Sequence, residues 1–295
     1  MTVSRDTAAG RAYLDLRAKA RAEGRTFPSL LTLYALEGFL GRLSGSSDRD
    51  TFVLKGGVLL AAFHARRPTK DIDFLGLDLD NDAETVRERI EAIAALPRDD
   101  GLVLSPTHTR AELIRDDNEY AGVRVHLVYT LATAQLAFHV DVNVGDPVYP
   151  APHDIDLPAL LGGSIRLRGY PMVTAMAEKI VTAMQRGAAN TRWRDYADVL
   201  LLAGDHAVDG SDLHGALTAV AAHRGIALSP LADLLDDYPT IAQNRWERWR
   251  ANQETRDSLP RGFRDVLIVV SGFADQASSG AAIALSWDPT AQRWR

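Results

Sequence analysis

The sequence predicts an α+β protein, with a mixed sheet and its helices in the first half of the chain and a helical second half. Between residues 102 and 144 four strand-like runs, 102–104, 110–114, 123–129 and 137–144, follow one another with turn-rich pieces such as DDNEYAG between them. Beyond residue 170 the apolar residues recur at helical spacing instead. PVYPAPHDIDLPALLGG, with four prolines, reads as a loop or linker between the two regimes. The expected domains are therefore 1–150 and 151–295.

Residues 4–23 and 28–43 read as two helices separated by Gly24 to Pro28. GSSDRD is a polar loop, 52–54 a short strand or helix lead-in, 57–65 a helix and 71–75 a buried strand. A helix over 82–95 starts at Asn81 or Asp82, both good N-caps. In the second half helices are expected over 172–185, 192–203, 212–222, 228–235, 241–252 and 261–277, with the last dozen residues a loose tail.

Composition excludes several functions. The 295 residues are 46% hydrophobic and 24% charged, as in a soluble globular protein, and no apolar run has the length of a signal peptide or membrane span. A cytoplasmic monomer with no membrane partner is expected. Zero cysteines exclude disulfide scaffolds, Cys-type zinc sites and thiol nucleophiles. A net charge of −6 argues against a globally basic nucleic-acid coat but leaves room for a local basic groove. Lysine occurs only at positions 19, 55, 70 and 179, so Lys55 and Lys179 stand out in an Arg-rich chain.

The segment from Lys55 to Gly76, KGGVLLAAFHARRPTKDIDFLG, spends two glycines at a helix start and two carboxylates on a strand. Residues i and i+2 of a strand face the same side, so Asp71 and Asp73 project together, a repulsion that a divalent cation relieves. Mg²⁺ takes one or two protein carboxylates plus phosphates, which suits such a pair. A D-x-D alone is weak evidence, since Asp154 and Asp156 repeat it in the proline-rich stretch with no strand expected around them. Gly56 and Gly57 either make a tight turn or bare a helix N-terminus to a phosphate. Asp78, Asp80 and Asp82 do not continue as a calcium loop, because position six is Ala83 and position twelve Arg89. P-loop, dinucleotide, serine-hydrolase and HExxH motifs are absent.

Gly-Gly followed by Arg67 and Thr69 and, about fourteen residues on, by Asp71 and Asp73, then a strand carrying Asp141 in FHVDVNVGD, resembles the nucleotidyltransferase fold. More closely, it resembles the abortive-infection AbiEii family and the related MenT-type toxins of toxin–antitoxin systems. LKGGVLLAAF is similar to their L-K-G-G-T-A-L segment, with Val58 in place of a small hydroxyl residue. AEKIVTAMQRGAANTRWRDYADVLLL is similar to their A-E-K-L…R…R-x-K-D-x-x-D-L block, giving Glu178, Lys179, Arg186, Arg194, Asp195 and Asp198.

The resemblance implies a nucleotidyltransferase that uses an NTP and Mg²⁺ or Mn²⁺. Asp71, Asp73 and, geometry permitting, Asp141 would hold metal. Lys55, Gly56, Gly57, Arg67 and Thr69 would meet phosphate, with Lys179 offsetting triphosphate charge. Asp195 is the expected functional acid of its helix, with Asp198 either binding nucleotide or holding the fold. It further implies addition of nucleotides to the tRNA 3′ end, blocking aminoacylation, and a cognate antitoxin encoded beside the gene. Arg245, Trp246, Arg248, Trp249, Arg250 and Arg264 are the candidate RNA grip, against the alternative of a helix packing its tryptophans in the core. Two competing functions are a degenerate module that only binds NTP or a partner, and a transferase that modifies protein side chains or small molecules.

Overall fold

A computed structural model describes residues 3–115, 121–234, 237–253 and 256–295. Most of the DDNEYAG turn, the last residue of the helix expected over 228–235, and two residues after the candidate RNA grip's tryptophans lie outside these. The chain forms two compact units, one of residues 1–145 with 153–169, the other of 146–152 with 170–295.

The first unit opens with α1 (Ala8–Glu23), where the Thr7 side chain caps the Gly10 N–H and Gly24 ends the helix in the left-handed region. Helix α2 (Phe27–Ser44) is buried along most of its length. It carries Arg42, whose guanidinium binds Asp100 and the carbonyls of Gly38, Leu96 and Leu102 and lies 5.1 Å from the Tyr129 ring centroid. It also carries Glu37, which accepts from Arg66 at 2.6 Å and from the Leu160 N–H at 2.8 Å. Both buried charges are thereby paired, as burial requires.

The sheet consists of β1 (Phe52–Lys55), β2 (Asp71–Gly76), β3 (Leu102–Leu104), β4 (Arg110–Arg115), β5 (Ala121–Leu131), β6 (Ala134–Val144), β7 (His153–Pro158) and β8 (Ser164–Gly169). Its order is β3-β5-β6-β2-β1-β8-β7, with β4 also paired to β5. The β2–β6 and β1–β8 pairs are parallel and the others antiparallel, so the sheet is mixed. Helix α4 (Ala83–Ala94), capped by the Asp82 carboxylate on the Thr85 N–H, buries Val86, Ile90 and Ile93. Val123, Val125, Leu127 and Tyr129 alternate on β5, and Leu136, Phe138, Val140 and Val142 on β6, toward the core.

Three expectations are corrected. The proline-rich stretch is not all linker, since His153–Pro158 pairs with Ser164–Gly169 as an edge strand. Ile155 and Leu157 point inward, and Pro158 sits at the strand's end, where it removes no needed ladder bond. The second D-x-D is therefore also on a strand, with Asp154 bound by Arg49 at 2.6 Å and Arg166 at 3.2 Å. The helix expected over 57–65 is a four-residue turn, α3 (Gly56–Leu59), running into a 3₁₀ segment (Leu60–Phe63), too short for a macrodipole to matter much.

The second unit comprises α5 (Met172–Arg186), α6 (Trp193–Asp205), α7 (Gly210–His223), α8 (Leu231–Leu234), α9 (Tyr238–Ala251) and α10 (Phe263–Ser278). The expected loose tail is instead ordered. Strands β9 (Val208–Asp209), β10 (Ser286–Asp288) and β11 (Arg293–Trp294) form a small sheet. Trp287 and Trp294 are buried around Phe273, and their indole N–H groups donate to the carbonyls of Ala203 and Phe273. Such short strands leave no periodic signal, so only the two tryptophans hinted at them.

Candidate active site

In the first unit the glycine turn and the Asp pair meet. Gly56 sits at φ 67° directly after β1, and a methyl group on it would lie 1.8 Å from Asp73 Oδ2 and 2.8 Å from Asp73 Cβ. Glycine is thus required twice, for the backbone conformation and for the approach of the Asp73 carboxylate. A Cβ on Gly57 would meet Thr69 Oγ1 at 3.0 Å and the Arg67 guanidinium at 3.2 Å. Thr69, itself buried, donates its hydroxyl to Asp71 Oδ1 at 2.5 Å. Gly56, Gly57, Arg67, Thr69, Asp71 and Asp73 therefore form one cluster. Register also sets Lys55 opposite Asp73 across β1 and β2.

Strand β6 supplies the next row. Asp73 is in register with Asp141, and Asp71 with His139, so all four side chains share one face of the sheet. Asp141 does not extend the carboxylate cluster, because Arg124 of β5 donates from Nε and Nη2 to its two oxygens at 2.8 and 2.7 Å. Among the described residues no group of three or more His, Asp or Glu side chains is placed to share a metal ion. Asp71 and Asp73 thus stand on one face beside the Arg124–Asp141 ion pair. His139 Nε2 lies 3.8 Å from Asp71 Oδ2, and burial holds its imidazole below the usual histidine range despite the neighbouring carboxylates. Sequence reading takes His126 as structural, for want of a partner at metal-ligand spacing, and does not single out Arg124, although the alternation in VRVHLV sets both on the polar side of their strand.

The second unit holds its own charged cluster. Lys179 of α5 donates to Asp195 Oδ1 at 3.1 Å and Asp198 Oδ2 at 2.8 Å, both on α6, and Arg192 Nε reaches Asp195 Oδ2 at 2.7 Å. Lys179, Asp195 and Asp198 are nearly buried, so each charge is compensated by its partners. Asp195 thus pairs with Arg192 as well as with Lys179, and Lys179 joins both acids of α6.

The candidate RNA grip is divided. Trp246 is fully buried against Trp249 and Phe263 and donates its indole N–H to the Pro260 carbonyl, so it stacks in the core and not on a base. Arg250 Nε binds the Leu259 carbonyl at 2.7 Å. Trp249 is half-buried, and Arg245, Arg248 and Arg264 are exposed.

The sequence profile of the family described as nucleotidyl transferase AbiEii toxin, type IV TA system, matches residues 38–269. The chain belongs to the AbiEii nucleotidyl transferase toxin family. That match takes in the glycine turn, the Asp pair, Arg124, Asp141 and the Lys179 cluster of this AbiEii protein. No curated protein shows significant sequence similarity to it. Among solved structures, an H. pylori protein described as a "putative nucleotidyltransferase" superposes with a TM-score of 0.50 at 14% identity, covering 86% of this chain and 97% of that one. JHP933 from Helicobacter pylori gives 0.49 at 14% identity over 84% and 92%. The former likeness concerns the fold. No described helix is long and apolar enough to cross a membrane.

Proposed function

We propose that this AbiEii protein is a toxin that transfers a nucleoside monophosphate from an NTP to an RNA acceptor, the 3′ end of a tRNA, and so blocks aminoacylation and translation. The fit of the Asp73 carboxylate over Gly56, with Asp71 held beside it by Thr69, supports this reading. Two carboxylates facing one side of a strand match the oxygen donors that Mg²⁺ or Mn²⁺ takes when substrate phosphates complete its shell. Asp71 and Asp73 would hold that cation, which when bound neutralises phosphate charge and templates in-line displacement.

The chain's own residues do the rest. Gly56 and Gly57 present backbone without side chains, so phosphate oxygens can approach closely, and Arg67 brings a guanidinium over Gly57. Lys55, opposite Asp73 in register, is assigned to the triphosphate charge, and within the second unit Asp195 and Asp198 fix the Lys179 ammonium. The acceptor oxygen bonds to the α-phosphorus as the bond to the departing pyrophosphate breaks, and the hydroxyl proton leaves to solvent. Asp141, whose oxygens both receive hydrogens from Arg124, fixes that arginine in this reading instead of taking the proton. A cognate antitoxin, as the family's type IV system implies, is the proposed restraint.

Incubation with each α-labelled NTP, Mg²⁺ and either total tRNA or protein lysate tests the proposal. Label on tRNA that a 3′ exonuclease releases, and that Asp71→Ala abolishes, is expected. Label on polypeptide, or on nothing, overturns it.

A further inference from the structure

The carboxylate pair has a direction. On one side lies the glycine turn, through β1; on the other, two polar rows continue across β6, β5 and β4. One row runs Asp71, His139, His126, Arg110 and the other Asp73, Asp141, Arg124, Glu112, each residue in register with the next. Directly opposed residues share a face, and neighbouring strands lie about 4.8 Å apart, so Arg110 sits about 14 Å from Asp71 along the row.

The side of the sheet that carries these rows is open. Arg110 and Glu112 are exposed, Arg124, His126 and His139 half-buried, and Ala137, Gln135 and Val103 on the same side are exposed. The one outlying acid, Glu112, is met by His126 at 3.0 Å and Arg110 at 3.6 Å, and Asp141 by Arg124, which leaves the rows rich in N–H donors and imidazole rings. His126 and His139 face each other with centroids 5.9 Å apart.

We propose that this β4–β5–β6 face is the acceptor platform, on which the single-stranded 3′ segment of an RNA lies with its terminal hydroxyl toward Asp71 and a backbone phosphate at Arg110. The inference rests on the transferase reading and adds to it which substrate occupies which side. Charge supports it, since Arg110 and His126 offset Glu112 at the outer end, so the guanidinium donors there meet a phosphate with no uncompensated acid beside them. A flat polar sheet with rings standing on it suits splayed nucleotides, whereas an apolar helix would find no large hydrophobic anchor along these rows.

Fluorescence anisotropy of a short fluorescein-labelled single-stranded RNA on the full chain provides the test. Arg110→Ala combined with His126→Gln, which keeps a hydrogen-bonding group for Glu112, should weaken binding several-fold. It should also lower the slope of log affinity against log salt by about 0.7, the loss of one phosphate contact. Binding of a fluorescent NTP analogue and the melting temperature should not move. Absence of RNA binding by the wild type, an unchanged slope in the double variant, or a loss that follows Arg245→Ala instead overturns the platform. If the double variant labels tRNA with an unchanged KM for RNA, the platform fails while the transferase stands. If RNA binding depends on Arg110 yet no label is transferred, the transferase fails while the platform stands.

Discussion

Arg124 clasps Asp141 through two parallel hydrogen bonds, one strand away from Asp73. The carboxylate is nearly buried and the guanidinium about one-third exposed, so the pair is neither a surface bridge nor a dry one. Removing Arg124 strands a carboxylate beside two others. Arg124→Leu should destabilise the protein by about 1–3 kcal/mol, and Arg124→Leu with Asp141→Leu by less than the sum of the single changes. Urea unfolding of the four proteins measures the coupling, and strict additivity would refute it.

Gly56→Ala should be severe and Gly163→Ala mild. Both sit at positive φ, but only at Gly56 does the new methyl meet a carboxylate, while nothing lies within 4 Å at Gly163. Backbone strain costs about 1–3 kcal/mol at either position, and at Gly56 the displacement of Asp73 adds to it. Nucleotide transfer should vanish in Gly56→Ala and persist in Gly163→Ala; equal activities would detach Asp73 from the chemistry.

Lys179→Met should cost about 3–5 kcal/mol, since it leaves Asp195 and Asp198 as buried carboxylates without their shared cation. Adding Asp195→Asn and Asp198→Asn should restore much of that stability. Activity should not return with it if the ammonium serves the triphosphate. Recovery of both together would make Lys179 purely architectural.

Glu37 gives a pH dependence of defined sign. Burial raises its carboxyl above the ordinary range, outweighing Arg66 and the Leu160 N–H, so in the window above about pH 4 the folded state binds more proton than the unfolded. Its contribution is complete below that window and is lost as pH rises through the raised value. Subtracting the stability of Glu37→Gln from wild type across this range should leave a falling difference. A flat or rising one would show that Arg66 dominates.

Much of this was readable from residue order. The alternation of Val123, Val125 and Leu127 against Arg124 and His126 places a half-open strand, and the helical spacing in α5, α6 and α10 survives intact. The glycine–carboxylate cluster was legible because its parts lie within about twenty residues. Partners from distant elements were not: Arg124 for Asp141, and Lys179 for both acids of α6, depend on register and helix packing that no local spacing encodes. The β7–β8 hairpin was hidden by prolines that an edge strand tolerates, and the C-terminal strands by their brevity.

Trp294→Ala measures what that hidden element contributes. The ring is buried, stacked on Phe273 at 5.4 Å and hydrogen-bonded to its carbonyl, so its loss should cost about 3–5 kcal/mol. A change in midpoint within error would mean that the terminus frays in solution.

The path of the chain between its two units has a consequence for making the protein. The polypeptide leaves the first unit after Gly145, returns at His153 and leaves finally after Gly169. A cut after Gly145 does not separate the units: a piece ending there lacks the β8 neighbour of β1 and the Arg166 carbonyl that receives the Ser44 hydroxyl. During translation the face that carries Asp71 and Asp73 therefore waits for residue 169 to clear the ribosome, and a nascent chain stopped short of that point carries these aspartates on an unfinished sheet.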